Sequence, residues 1–166
     1  MADANFTLTN EYLHHIFEYK DGELFWKIKK GAIIPNTKAG SLDKENNRFH
    51  VQINRKFYKL HRIIFMMHYG YLPKEIDHKD GNPSNNHIEN LREANSSQNN
   101  YNQKIRKNNT SGIKGVTWDK NRQKWHVQVI CNKKPVFQAR FDDLELAELV
   151  AQEARNKYHG KFARHS

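Results

Sequence analysis

The stretch Ile76-Asp-His-Lys-Asp-Gly-Asn-Pro-Ser-Asn-Asn-His-Ile-Glu-Asn-Leu91 gathers carboxylates, imidazoles and amides into one short run. Asp77 and His78 are neighbours, so in an extended strand they point to opposite faces. Asp80-Gly81-Asn82-Pro83 is a strong turn signal, and Asn90-Leu91 is placed to begin a return strand. A polar helix is predicted from about Arg92 to Gln103, and Ser97-Gln98-Asn99-Asn100 sits on it, where one side chain can face back at the hairpin. The run is not a calcium loop, because Lys79 occupies a ligand slot and no Glu closes it.

A hairpin and helix that bring Asp, His and Asn together make a holder for one hard cation beside a base, and such a site suits phosphodiester hydrolysis. A divalent cation bound by Asp77 and the amide oxygen of Asn99 keeps several positions for water and phosphate oxygens, as Mg²⁺ prefers. Such an ion stabilises charge on the phosphate and the leaving 3′ oxygen. A neutral His78 then takes the proton from attacking water, its ordinary pKa of about 6.5 keeping it mostly neutral at working pH.

Upstream, Leu13, Ile16 and Phe17 recur at helical spacing behind Thr9 and Asn10, which predicts a short helix over residues 9–18. After the Asp21-Gly22 turn, residues 23–29 alternate like a half-buried strand, and residues 30–47 read as loop. Phe49–Ile53 and Phe57–Leu60 flank Asn54-Arg55-Lys56 as a hairpin. Residues 60–69 (LHRIIFMMHY) form an apolar helix that stops at Gly70. Downstream, residues 104–111 (KIRKNNTS) are basic and aperiodic, so they read as a linker. Three strand-like segments follow, at 115–118, 124–130 and 135–141. Asp142 is then expected to cap a helix running to about Tyr158, with Leu146, Leu149, Val150 and Ala154 on its apolar face.

The whole chain of 166 residues has 28 Lys+Arg against 18 Asp+Glu, a net charge of +10. The charge is uneven: residues 1–60 carry 10 basic and 7 acidic side chains, 61–102 carry 4 and 5, and 103–166 carry 14 and 6. The last third is therefore the electrostatic docking part, and a polyanion, nucleic acid above all, is the natural partner. No run of 18 apolar residues exists, so no membrane span is expected. The N-terminal MADANFTLTNEYLHH has neither a basic nor an apolar signal region, so no secretory signal is expected. The lone Cys131 excludes an internal disulfide and a cysteine-based zinc site.

Taken as phrases, Lys59-Leu-His-Arg-Ile-Ile, Ile76-Asp-His-Lys-Asp-Gly-Asn, Asn90-Leu-Arg-Glu-Ala and Asn99 resemble the HNH endonucleases of the ββα-metal fold, in the branch common among phage-encoded and intron-encoded homing enzymes. The resemblance implies that His78 is the general base and that Asp77 and Asn99 are the metal ligands. Asn90, counted with His78 in the catalytic motif, is implied to hold the hairpin through side-chain hydrogen bonds. The last letter of the motif is Asn here, not His. His61 and Arg62 match a recurrent family pair and are carried over as DNA-contacting candidates. The segment from Asn109-Thr-Ser-Gly-Ile-Lys-Gly-Val-Thr-Trp118 through Lys124-Trp125 and Phe141 to His159-Gly-Lys-Phe-Ala163 resembles the DNA-binding domain of plant ethylene-response factors. That resemblance implies a sheet in the major groove, with Lys114, Thr117, Trp118, Lys124, Trp125 and Gln128 as contact candidates. Its strands hold fewer arginines than the plant domains, so bidentate guanine readout is thin.

These readings give an α+β chain: a ββα-metal nuclease module over 1–103 (core motif about 57–103), a linker at 104–111, and a three-stranded antiparallel sheet packed on one helix over 112–164. The expected function is metal-dependent endonucleolytic cleavage of double-stranded DNA, with one divalent cation, Mg²⁺ or Mn²⁺. It is expected in the cytoplasm of a phage-infected host, with no membrane and no protein partner. One such site cuts one strand, so a monomer nicks and a homodimer can break both strands. The alternative is a non-catalytic, sequence-preferring DNA-binding regulator derived from such a nuclease.

Overall fold

The computed structural model describes residues 7–165, so the first six positions of the expected signal-free N-terminus lie outside the described residues. The chain is α+β and forms two compact units, one up to Glu93 and one from Ala94 onward.

In the first unit, helix α1 (Asn10–Ile16) starts where the Thr9 side chain accepts from the Tyr12 amide. It ends sooner than helical spacing suggests, because Phe17 turns extended and opens strand β1 (Phe17–Lys20). β1 pairs antiparallel with β2 (Glu23–Trp26). The connecting Asp21 and Gly22 both have positive φ (47° and 80°), as a two-residue hairpin turn requires. The stretch read as loop contains two short strands, β3 (Lys38–Ala39) and β4 (Ser41–Asp43). β5 (Arg48–Ile53) and β6 (Lys56–Lys59) form the expected hairpin, turning through Asn54 and Arg55 at φ 47° and 66°. Helix α2 (Leu60–Tyr69) stops at Gly70, which takes the left-handed φ of 77° and donates its amide to Met66. Leu60, Ile63, Ile64 and Met67 of α2 pack with Leu13, Ile16, Phe17, Leu24 and Val51 into the core.

β7 (Glu75–His78) and β8 (Leu91–Ala94) pair as a two-stranded sheet, joined by a loop that ends in a 3-10 turn at Ile88–Asn90. The segment predicted as helix from Arg92 is thus strand to Ala94. The helix, α3 (Ser96–Tyr101), begins only after Asn95, whose side chain and that of Gln98 close a reciprocal capping box. α3 belongs to the second unit, whose small core of Ala94, Tyr101 and Phe162 it helps to form. The compact units therefore divide at Glu93/Ala94, ahead of the basic stretch at 104–111.

The rest of the second unit is an antiparallel sheet of β9 (Val116–Asp119), β10 (Lys124–Cys131) and β11 (Lys134–Phe141), with β10 central. Helix α4 (Leu144–His159) packs on it. Two expectations about α4 are corrected. Asp143, not Asp142, is the cap, its carboxylate accepting from the Leu146 amide at 2.7 Å, while Asp142 pairs with Lys124. The face turned to the sheet is Ala147, Ala151, Ala154 and Arg155, whereas Leu146 and Leu149 are 48% and 62% exposed. Small side chains let the helix approach Val116 and Val127 closely, and Leu146 and Leu149 fall on the outer side of the helix. No helix among the described residues is long and apolar enough to cross a membrane.

Candidate functional site

His78 ends β7 and is 5% exposed. Its Nε2 lies 3.4 Å from the Asn86 side-chain oxygen, and the Asn86 amide nitrogen donates to the Ser84 carbonyl at 3.3 Å. With its nitrogen so used, the amide presents oxygen to the ring, which favours the proton on Nε2 and the lone pair on Nδ1. Burial lowers the His78 pKa, with the Asn86 hydrogen bond opposing and Arg48 adding to the fall, so the imidazole is neutral near pH 7. Behind it stands His61, in the first turn of α2, with ring centroids 5.0 Å apart. Burial first, then the charges of His78, Arg48, Lys59 and Arg62, push the His61 pKa down to about 2.

Asp77, 8% exposed, is gripped by a residue that motif reading passes over. Arg92 on β8 donates to its Oδ2 from Nε at 2.8 Å and from Nη2 at 2.6 Å. Local sequence gives no signal for this partner, since the two residues meet only when the strands pair.

Asn90 closes the connecting loop. Its side-chain nitrogen donates to Asp80 Oδ1 (3.0 Å) and to the Asn85 carbonyl (2.8 Å), while its oxygen accepts from the Asp80 amide (3.1 Å). The Asp80 carboxylate also accepts from the Asn82 amide and the Asn85 side chain. Partial burial pushes its pKa up, but these hydrogen bonds outweigh that and leave it below the usual carboxylate range. The loop is held from outside as well: Tyr19 Oη accepts from the Ile88 amide at 3.1 Å, and Ser84 Oγ donates to the Asn47 carbonyl at 2.9 Å. Tyr19 on β1 and the turn before β5 thus buttress the loop that carries Asn86.

Asn99 is on α3, in the second unit. Of the family pair, His61 is buried and Arg62 spends its guanidinium on the carbonyls of Pro73 (3.1 Å) and Lys74 (3.4 Å), bracing the approach to β7. No group of three or more His, Cys, Asp or Glu among the described residues could cage a metal ion. Asp77 offers a carboxylate and Asn99 a side-chain amide, each by itself a hard oxygen donor of the kind a well-hydrated divalent cation takes. Arg92 meets the Asp77 carboxylate at Oδ2, one of two oxygens that together offer about four lone-pair sites.

In the second unit, the two-residue period of the strands sorts the DNA-contact candidates. Val116 and Val127 face α4, and Trp118 and Trp125, in register with one another, share that side and touch edge to face at 4.8 Å. Thr117, Lys124 and Gln128 fall on the opposite, open face. So do Gln138 and Arg140, in register with Gln128 and His126, which the sequence reading omits. Lys114 is turned inward, its ammonium donating to the carbonyls of Tyr101 and Gln103.

Residues 58–101, which span β6 to α3, match the family model described as HNH endonuclease. The chain is also 40% identical over 117 residues to Protein 3.8 of Escherichia phage T7, an alignment covering 66% of this chain and 94% of that protein, and it belongs to the same family. No solved structure matches the chain.

Proposed function

We propose that the chain is a metal-dependent endonuclease that hydrolyses phosphodiester bonds of double-stranded DNA, of the phage or homing type, and that its second unit binds the duplex as the plant ethylene-response domains do. The single observation that carries this reading is the buried His78, its Nε2 turned to Asn86, beside an Asp77 held by Arg92, at the head of a loop pinned through Asn90. A surface turn has no need of a buried imidazole paired with a buried side-chain amide.

In this reading Asp77 would offer the cation a hard carboxylate oxygen, and Asn99, the second ligand that the motif resemblance implies, an amide oxygen. A bound Mg²⁺ supplies Lewis-acid stabilisation of the charge that develops on the phosphate and the leaving oxygen. His78 takes the proton from the attacking water, a role open to it because burial keeps it unprotonated. Asn86 fixes its ring, Arg92 fixes the Asp77 carboxylate, and Asn90 keeps the connecting loop shut. The open sheet face, with Thr117, Lys124, Gln128, Gln138 and Arg140, meets the DNA, and the excess positive charge of the last third draws it there.

The test is incubation of supercoiled plasmid with the full chain, with and without Mg²⁺, beside His78→Ala. Cleavage is expected only with the cation. His78→Ala is expected to slow it by ~10²–10⁴ with little change in DNA affinity. Undiminished cleavage by a folded His78→Ala protein would sink the assignment.

A further inference from the structure

The stretch that composition marks as a linker is tied down at both ends within the second unit. At its start, Lys114 Nζ donates to the carbonyls of Tyr101 (2.6 Å) and Gln103 (2.5 Å). At its end, Asn109 donates from its side chain to the Ile113 carbonyl (3.0 Å) and accepts from the Gly112 amide (2.7 Å), and Ser111 Oγ donates to the Val116 carbonyl (2.7 Å). A turn closed by the Asn109 amide on the Arg106 carbonyl (2.9 Å) shapes the middle. Residues 104–108 are thus a strap of fixed course.

Between this strap and strands β9 and β10 lies a cleft of about 570 Å³. Lys104, Arg106, Lys114, Lys133, Arg155 and His159 line it, and none of its lining residues is Asp or Glu. Two of these cations are occupied, Lys114 by the carbonyls above and Arg155 by the Lys114 carbonyl. Lys104, Arg106 and Lys133 are exposed and have no acidic partner among the described residues. A concave surface with five Lys or Arg and no counter-charge focuses positive potential. Ser97, Asn100, Thr117 and Gln128 add neutral hydrogen-bonding groups.

We propose that this cleft is a phosphate-binding site that grips one sugar-phosphate strand of bound DNA, with Lys104 and Arg106 on the strap and Lys133 in the β10–β11 turn as its contact cations. The proposal rests on the reading of DNA as substrate and adds three contact cations that neither the nuclease motif nor the sheet resemblance assigns. Thr117 and Gln128 lie on both the cleft wall and the open sheet face, so a strand held in the cleft runs onto the face that meets the duplex. Because the strap is fixed before binding, little ordering entropy opposes the contact. A free nucleotide carries the same phosphate chemistry, and the test separates the two.

Binding of a short fluorescent duplex is measured by anisotropy over a salt series, in EDTA, with full-length His78→Ala protein as parent so that no cutting intervenes. The triple variant Lys104→Ala/Arg106→Ala/Lys133→Ala is compared with a control triple at the exposed Lys29, Lys44 and Lys157. The cleft triple is expected to bind at least about tenfold more weakly and to flatten the slope of log K against log salt by about 2–3, since each phosphate contact contributes about 0.9. The control is expected to change the slope by less than about 1. Circular dichroism melting should be unchanged, because the substituted side chains are exposed. An unchanged slope in the cleft triple, or equal flattening by the control, overturns the proposal. So does a cleft triple that loses binding of fluorescent ATP yet keeps duplex affinity, which marks a nucleotide site. Failure of the broader nuclease reading looks different: the protein with His78 intact would then leave plasmid uncut with Mg²⁺ present, whatever the cleft triple does to duplex affinity.

Discussion

The rings of His61 and His78 meet edge to face, inclined by 71°, with both residues 5% exposed. Two imidazoles so placed cannot both carry charge, and burial holds both pKa values below the ordinary 6.5. A histidine whose pKa falls on folding stabilises the native state above its unfolded pKa, and that stability is lost as pH drops through 6.5 toward the folded value, here about 2 for His61. Each pH unit inside that window removes up to about 1.4 kcal/mol through His61 alone. The melting temperature is therefore expected to fall between pH 7.5 and pH 5, and less steeply in His61→Met. Identical pH dependence in wild type and His61→Met would show that this pair does not set acid sensitivity.

Asn86 is 3% exposed and ties His78 to the Ser84 carbonyl. Replacing it with Leu strands a buried imidazole N–H, which costs about 1–3 kcal/mol. If Asn86 positions the base, plasmid cleavage should slow about tenfold or more in kcat with KM nearly unchanged, and Asn86→Gln should recover part of the rate. Loss of stability with kcat intact would reduce Asn86 to a structural role.

Arg92 and Asp77 form an ion pair in which both side chains are largely shielded, 13% and 9% exposed. Breaking such a pair from one side leaves an uncompensated charge, so Arg92→Ala is expected to destabilise the fold by about 3 kcal/mol. The double variant Asp77→Ala/Arg92→Ala should be more stable than Arg92→Ala alone. Urea denaturation of wild type, Asp77→Ala, Arg92→Ala and the double variant gives the coupling energy, and strict additivity would mean that the contact is energetically idle.

What could be read ahead of the structure follows from how local the signal is. α2 was legible because Leu60, Ile63, Ile64 and Met67 repeat at helical spacing and Gly70 supplies the left-handed stop. The β9–β11 segments were legible because Val116, Val127 and Val129 alternate with polar residues between turn residues. Asp77, His78 and Asn90 stood out because their spacing carries the motif. Arg92 and Asn86 did not, because their roles arise only when a strand pairs or a loop folds back. β1 was hidden because Phe17 also continues the apolar spacing of α1. α3 began late because the strand through Ala94 and the capping pair Asn95–Gln98 override the polar helical composition before it.

The orientation of α4 makes the last prediction. Periodicity alone favours Leu146 and Leu149 as buried, on one face with Val150 and Ala154. Yet Ala147 and Ala151 are 0% exposed and Leu149 is 62% exposed. Ala147 and Ala151 set the closeness of approach to Val116 and Val127, and a larger side chain there must push the helix off the sheet, at about 1–3 kcal/mol or more. A polar change at an exposed position stays within about 0.5 kcal/mol. Leu149→Glu should therefore leave the urea midpoint nearly unchanged, while Ala151→Leu should lower it clearly. The opposite ordering would mean that the leucines, not the alanines, face the sheet, and that α4 is turned about its axis from the position described.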